Sequence, residues 1–112
     1  MTRVFGRKRR RMAPSLPYES LLIRQLKDPS EAAAYLEAVI EEGDPAALML
    51  ALRQVADAQG GVATIARRAK LTREATYRML SKSGNPELRS LRALLKATGL
   101  RLSVKPIEKR AA

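Results

Sequence analysis

The chain contains neither cysteine nor histidine among its 112 residues. These absences exclude disulfides, thiolate zinc sites, imidazole metal ligands and the Ser-His and Cys-His pairs of nucleophilic catalysis. A pair of carboxylates is the remaining catalytic option, but the acidic residues fall in helical patterns with no glycine-rich loop or glycine-flanked nucleophile beside them. We therefore expect a protein without enzymatic activity, metal or other cofactor.

Long apolar runs are also missing. No stretch approaches the roughly 18 apolar residues of a membrane span, and the basic start leads into "APSLPYES" rather than an apolar signal core. This pattern predicts a cytoplasmic protein. Valine, isoleucine and aromatic residues are sparse while alanine, leucine, arginine and glutamate are common, which favours helices. A chain of this length forms one compact core, so we expect a single, mainly α-helical domain.

The formal net charge is +11 at pH 7, and it is distributed unevenly. Residues 1–17 hold six basic residues and no acid, whereas residues 18–60 hold three basic and eight acidic residues. Residues 61–112 hold thirteen basic and three acidic residues, a net charge of +10. Such a basic protein is expected to bind a polyanion. The uneven distribution predicts two surfaces with different partners, one acidic and one basic.

Residues 1–17 are predicted to be a disordered tail, because consecutive basic residues repel one another and Pro14 and Pro17 interrupt a helix. Residues 18–107 form the predicted domain, and residues 108–112 form a second short tail. As a hypothesis, the run from Arg7 to Arg11 is an electrostatic arm on DNA phosphates or in the minor groove.

The first part of the domain, residues 18–60, is predicted to hold acidic helices. Ser30 is a candidate N-cap for one helix and Gly43 a candidate stop, while Asp44 followed by Pro45 restarts a helix that ends at the glycine pair after Gln59.

The last part of the domain is predicted to contain a closing helix over 88–98 and a strand over 101–107. In "RLSVKPI" the apolar Leu102 and Val104 alternate with polar residues, which is the period of a strand. No other segment has a strand pattern. We therefore predict that this strand pairs with its copy in a homodimer, with Leu102 and Val104 as dimerisation residues.

Between these parts, the segment "IARRAKLTREATYRML" predicts two short helices within residues 62–82. The first covers about Val62–Ala69 and contains the small Ala66 where the helices cross. The second runs from Arg73 to about Lys82, after "KLT", in which leucine fills the turn and threonine is the N-cap. This pattern is that of a helix-turn-helix, whose second helix enters the major groove of DNA.

The candidates for DNA binding follow from the outward face of the second helix and from nearby hydroxyl and basic groups. Ala75, Thr76, Met79 and Leu80 face the core in this interpretation. Two outward arginines could contact guanine, a glutamate could accept from cytosine, and the N-cap hydroxyl and the basic residues, Lys70 included, could contact phosphates. The predicted DNA-binding residues are Thr64, Arg67, Arg68, Thr72, Arg73, Glu74, Tyr77, Arg78 and Lys82.

Two alternatives stay open from the residues alone. Arginines on a helix are more often a solvated face, but the net +10 of residues 61–112, the spacing of the two helices and the lack of catalytic chemistry favour DNA binding here. Tyr77 either packs its ring on the bundle and donates its hydroxyl to a phosphate, or is simply buried.

From Leu26 to Val104 the chain resembles the antidote proteins of toxin–antitoxin addiction modules with a HigA-like, Xre-type helix-turn-helix. The resemblance rests on "YLEAVIEEGDPAALMLALRQVADAQGG", "IARRAKLTREATYRML" and "GNPELRSLRALLKATGLRLSV" in that order. It implies a lambda-repressor-like bundle of five to six helices. It also implies an antitoxin that neutralises a RelE/ParE-like toxin encoded beside it and binds operator DNA to repress their shared operon, usually as a dimer.

Two residues depart from the pattern of that family. Glycine is usual where Lys70 stands, so Lys70 would be strained if the turn requires a positive φ. Leucine is usual where Thr76 stands, so the threonine should weaken the packing.

The resemblance also gives the acidic helices a partner. RelE/ParE-like toxins are generally basic, so carboxylates of the antitoxin could cover the basic cleft of the toxin. The candidates for toxin binding are Glu31, Glu37, Glu41, Glu42 and Asp44. The alternative is that these acids only cap and solvate their helices.

Two other functions remain possible at this point. One is a stand-alone helix-turn-helix regulator without a toxin, and the other is non-specific nucleic-acid binding through the basic tail. The acidic helices favour the antitoxin, because a simple repressor does not need them.

Overall fold

The computed structural model describes residues 15–108, with side chains from Tyr18 onward. Within this range the chain is helical and contains no strand. The predicted all-α helical bundle is thereby confirmed. The six helices are α1 (Ser15–Gln25), α2 (Pro29–Glu42), α3 (Pro45–Ala58), α4 (Val62–Ala69), α5 (Arg73–Met79) and α6 (Leu88–Ala97).

Aspartate caps begin α2 and α3. The carboxylate of Asp28 accepts from the backbone N–H of Ser30 at 2.9 Å, and that of Asp44 accepts from Ala46 at 3.0 Å. In each case proline follows at the first helical position. A backbone N–H there would have no intrahelical acceptor, so proline loses no hydrogen bond. The prediction for Asp44 is confirmed. Ser30 as N-cap is wrong, because Pro29 already lies in the helix and Asp28 caps it.

The start of α1 corrects the predicted tail boundary. Residues 15–17, assigned to the tail from the sequence, belong to this helix. Pro17 lies in the first turn, where backbone N–H groups have no intrahelical acceptor, so proline is tolerated there. The rest of the predicted basic tail, including the run from Arg7 to Arg11, lies outside the described residues, as do residues 109–112.

The core is apolar and continuous through the bundle. α2 and α1 pack on α3, and α4 packs on α3, α5 and α6. Leu26, Val55, Ile65 and Leu94 are among its largest fully buried side chains. Burial of each such side chain stabilises the fold by about 1.5–3 kcal/mol. Because α4 contacts α3 as well as α5 and α6, it connects the N-terminal helices to the C-terminal part of the domain.

A partly buried polar network joins the first three helices. Tyr35 of α2 donates its hydroxyl proton to Gln54 Oε1 of α3 at 2.6 Å, and Gln54 Nε2 donates to Glu19 Oε2 of α1 at 3.2 Å. Burial raises the pKa of Tyr35, and Tyr18, Glu19 and Glu42 raise it further by charge repulsion. Tyr35 is therefore held as a protonated donor to Gln54, which is itself buried.

The segment after α6 runs along α2 without regular structure. Within the described residues none of its backbone groups, from 101 to 108, makes a backbone hydrogen bond. Lys105 Nζ lies 3.0 Å from Glu37 Oε2, and both side chains are exposed. Leu102 is 43% exposed, Val104 98% and Ile107 92%. The predicted strand needs a second chain to pair with, so the pairing of Leu102 and Val104 across a dimer stays a prediction.

Candidate nucleic-acid interface

α4 and α5 have the spacing predicted from the sequence. α4 covers Val62–Ala69 as expected, and its buried Ile65 and Ala66 face the core. α5 begins at Arg73 but ends at Met79, three residues before the predicted end at Lys82. The chain turns there because Ser81 donates both its hydroxyl and its backbone N–H to the carbonyl of Arg78, at 2.8 and 3.2 Å.

The connection between the two helices is a left-handed turn at Lys70. This residue has φ 61° and ψ 38°, and it is the one non-glycine residue with positive φ in the described chain. The N–H of Leu71 donates to Ala66 O at 2.9 Å and that of Lys70 to Arg67 O at 3.1 Å, which is a Schellman motif. The turn therefore has the positive φ at which Lys70, unlike the glycine usual in the family, is expected to be strained. Gly60 and Gly99 occupy the same position after α3 and α6.

Two threonines determine how α5 begins and packs. Thr72 Oγ1 accepts from the backbone N–H of Ala75 at 3.0 Å, so the predicted N-cap is confirmed. Thr76 is fully buried, and its hydroxyl donates to Thr72 O at 2.8 Å. That hydrogen bond gives the buried hydroxyl of Thr76 a partner. The threonine side chain still fills less space than the leucine that is usual in the family.

The outward face of α5 is the one predicted. Arg73, Glu74, Tyr77 and Arg78 are exposed, whereas Thr76, Met79 and Leu80 are buried and Ala75 is half-buried. Residues four apart lie on the same side of a helix, so Arg73 and Tyr77 form one edge of this face and Glu74 and Arg78 form the other.

Each edge of α5 has a neighbour from outside the two helices. On one edge, Arg53 of α3 places its guanidinium carbon 5.4 Å from the centroid of the Tyr77 ring, within the range of a cation–π contact. Tyr77 is 38% exposed, so its side chain is not simply buried, and its ring contacts Arg53. On the other edge, Arg78 lines an open depression of about 340 Å³ together with Asn85 and Ser90 from the loop and helix that follow.

The other predicted DNA-binding residues surround this face. Arg67 and Arg68 lie in the last turn of α4, where positive charge interacts favourably with the helix dipole. Both are exposed, as is Lys82, and Arg68 also donates to Gln59 O at 3.4 Å. Thr64 is half-buried beside Gly60 and is the one candidate of the nine that is not exposed.

A family model described as "Probable addiction module antidote protein" matches residues 20–106. This match spans most of α1, all of α2 to α6 and the segment after them. The chain belongs to this antidote family. No curated protein and no solved structure matches it. Membership implies an antitoxin role and a toxin as partner, which confirms the kind of protein that the resemblance predicted.

The acidic residues of the antidote protein do not form one cluster. Glu31, Glu37, Glu41 and Glu42 are all exposed on α2, as is Asp44 after it. The helical period places Glu37 and Glu41 on one side of α2 and Glu31 and Glu42 on another. Around the helix circumference, Ala34 and Ala38 lie between these two sides. Glu31 accepts from Gln25 at 2.8 Å, Asp44 caps α3, and Glu37 pairs with Lys105. Glu41 and Glu42 have no such bond within the described residues.

Two further features, a membrane-spanning helix and a metal-binding group of acidic residues, are absent from the described part of the antidote protein. None of the helices within residues 15–108 has the length and apolar character needed to span a bilayer. The acids in the same range form no group of three or more placed to hold a metal ion. Arg53 is the residue beside the candidate interface that the sequence did not indicate, because it lies in the acidic part of the chain, 24 positions before Tyr77.

Proposed function

We propose that this antidote protein is a HigA-like, Xre-type antitoxin that neutralises a RelE/ParE-like toxin and binds operator DNA to repress the operon of the pair. It acts without catalysis or cofactor, in the cytoplasm, and as a homodimer. The observation that carries the DNA-binding part is the exposed face of α5, which consists of Arg73, Glu74, Tyr77 and Arg78 on a capped helix whose opposite face is buried. The antidote family supports the toxin-binding part.

On DNA, α5 enters the major groove as the second helix of a helix-turn-helix. Arg73 and Arg78 each donate to a guanine, and Glu74 accepts from a cytosine. A good bidentate contact of this kind discriminates against the wrong base by about 1–3 kcal/mol. Arg67 and Arg68 contact phosphates and position the protein without reading sequence.

On the toxin, Glu37 and Glu41 provide the carboxylates for a basic surface. They lie on one side of α2, one turn apart, and both are exposed. The Lys105–Glu37 pair does not prevent this, because an exposed ion pair contributes only about 0–1 kcal/mol and a cation of the toxin can replace Lys105. Glu31 and Asp44 serve the fold first, through their hydrogen bonds.

The test is co-expression with the adjacent reading frame, followed by pull-down and a gel shift on the DNA upstream of the pair. We expect a stable complex that shifts its own promoter. Arg73→Ala and Arg78→Ala should abolish the shift and keep the complex, whereas Arg92→Ala, an exposed arginine of α6, should change neither. A promoter shift without a co-purifying protein would instead indicate a stand-alone regulator.

Charge reversal separates the two surfaces. Glu37→Lys with Glu41→Lys should weaken toxin binding and spare the gel shift, and the matched pair Glu31→Lys with Glu42→Lys tests the other side of α2. If the first pair leaves the complex unaltered, Glu37 and Glu41 are not the toxin-binding carboxylates.

A further inference from the structure

Arg53 is an exposed basic side chain next to the outward face of α5. It belongs to an exposed stripe of α3 that also contains Leu50 and Asp57. Its guanidinium lies over the ring of Tyr77 and forms no ion pair within the described residues, although the carboxylate of Asp57 is close enough to interact with it electrostatically. An arginine stacked on an aromatic face keeps the N–H groups at its edge free for another acceptor.

A depression adjoins Arg53 between α3 and the end of α5. It is open, with a volume of about 370 Å³. Its apolar part includes Leu50 and Leu80, and its two charged side chains are Arg53 and Lys82. No acidic residue lines it, so this part of the surface is suited to an anionic group.

We propose that Arg53 and Lys82 form a phosphate-binding surface for the DNA backbone, outside the two helices of the motif. The proposal rests on the proposed entry of α5 into the major groove. An α-helix with its side chains is about 10–12 Å wide and the groove about 12 Å, so phosphates lie along both edges of a bound helix. Arg53 adjoins the edge formed by Arg73 and Tyr77.

Tyr77 has a positioning role in this arrangement. Its ring restricts the guanidinium before DNA arrives, so less side-chain entropy is lost when the phosphate binds. The planar guanidinium can then donate two parallel hydrogen bonds to phosphate oxygens, which a lysine cannot do. The contact is independent of base sequence, because every nucleotide carries the same phosphate.

The experiment measures binding of a labelled mixed-sequence DNA duplex at several salt concentrations. Each phosphate contact adds about 0.9 to the slope of log affinity against log salt, which is about eightfold in affinity per tenfold change in salt. We expect Arg53→Gln to lower the slope by about one. Arg92→Gln removes the same charge from α6 and should keep the wild-type slope. Arg53→Lys should keep the slope but bind more weakly than the wild type, because the charge remains and the bidentate geometry is lost.

The outcomes are distinct. If the wild-type protein binds and Arg53→Gln has the wild-type slope, or if Arg92→Gln lowers the slope equally, the phosphate-binding surface is refuted while DNA binding by α5 stands. If the wild-type protein binds no duplex even at low salt, the DNA-binding part of the proposed function fails and this inference fails with it. Thermal unfolding of each variant confirms that the compared proteins are folded.

Discussion

The left-handed turn at Lys70 predicts a specific gain in stability from glycine. A residue with a Cβ atom is destabilised by roughly 1–2 kcal/mol in this conformation, whereas glycine adopts it freely. Glycine also increases the conformational entropy of the unfolded chain, and this cancels about 0.4–1 kcal/mol of the stability that is gained by relieving the strain. Lys70→Gly should therefore be more stable than a variant that keeps the Cβ atom by about 0.5–1 kcal/mol.

The matched variant is Lys70→Ala, because it loses the same charge near the end of α4 and keeps the Cβ atom. Thermal unfolding by circular dichroism should place the Tm of Lys70→Gly above that of Lys70→Ala by about 2–8 °C, since 1 kcal/mol shifts the Tm of a domain this size by about 4–8 °C. Equal Tm values for the two variants would refute the argument that the backbone at this position is strained. Because both variants remove one basic side chain, their DNA affinities should be equal.

Three further predictions concern the fold, the dimer and pH. Tyr35→Phe should destabilise the protein by about 1–2 kcal/mol in urea unfolding, because a buried amide of α3 loses its donor, while the exposed Tyr18→Phe should have no effect; equal results would contradict the network. Val104→Glu should convert the proposed dimer to a monomer in analytical ultracentrifugation, and Leu21→Glu, at an exposed side chain of α1, should leave it a dimer. Partial desolvation of its carboxyl group on the otherwise exposed side of α3 raises the pKa of Asp57, with Arg53 partly opposing this, so the charged carboxylate is disfavoured in the folded state and stability falls as pH rises through that pKa. Asp57→Asn should therefore be more stable than the wild type at neutral pH, with the difference vanishing in acid, and a gain that persists in acid would contradict this cause.

Much of the local structure of the candidate interface was predictable from local sequence. Thr72 as N-cap and the division of α5 into a buried and an exposed face depend on residues within one or two turns of each other, whereas a positive φ at Lys70 follows only conditionally, from the glycine that is usual there in the family. Local errors also had local causes. The sequence predicts Ser30 as the N-cap, but aspartate is an equally good N-cap residue and only the backbone shows that Asp28 is the one outside the helix.

The amino-acid sequence by itself determined the helical class, the caps of α3 and α5, the glycine stops after α2 and α3, and the family to which the chain belongs, because these depend on periodicity and on short motifs. Only the tertiary structure decided which distant side chains meet. The packing of α3 brings Arg53 to Tyr77 and Gln54 to Tyr35, and the course of the last segment brings Lys105 to Glu37. Such contacts join residues far apart in the chain, and no spacing within a helix encodes them, since they follow from how buried faces of different helices fit together.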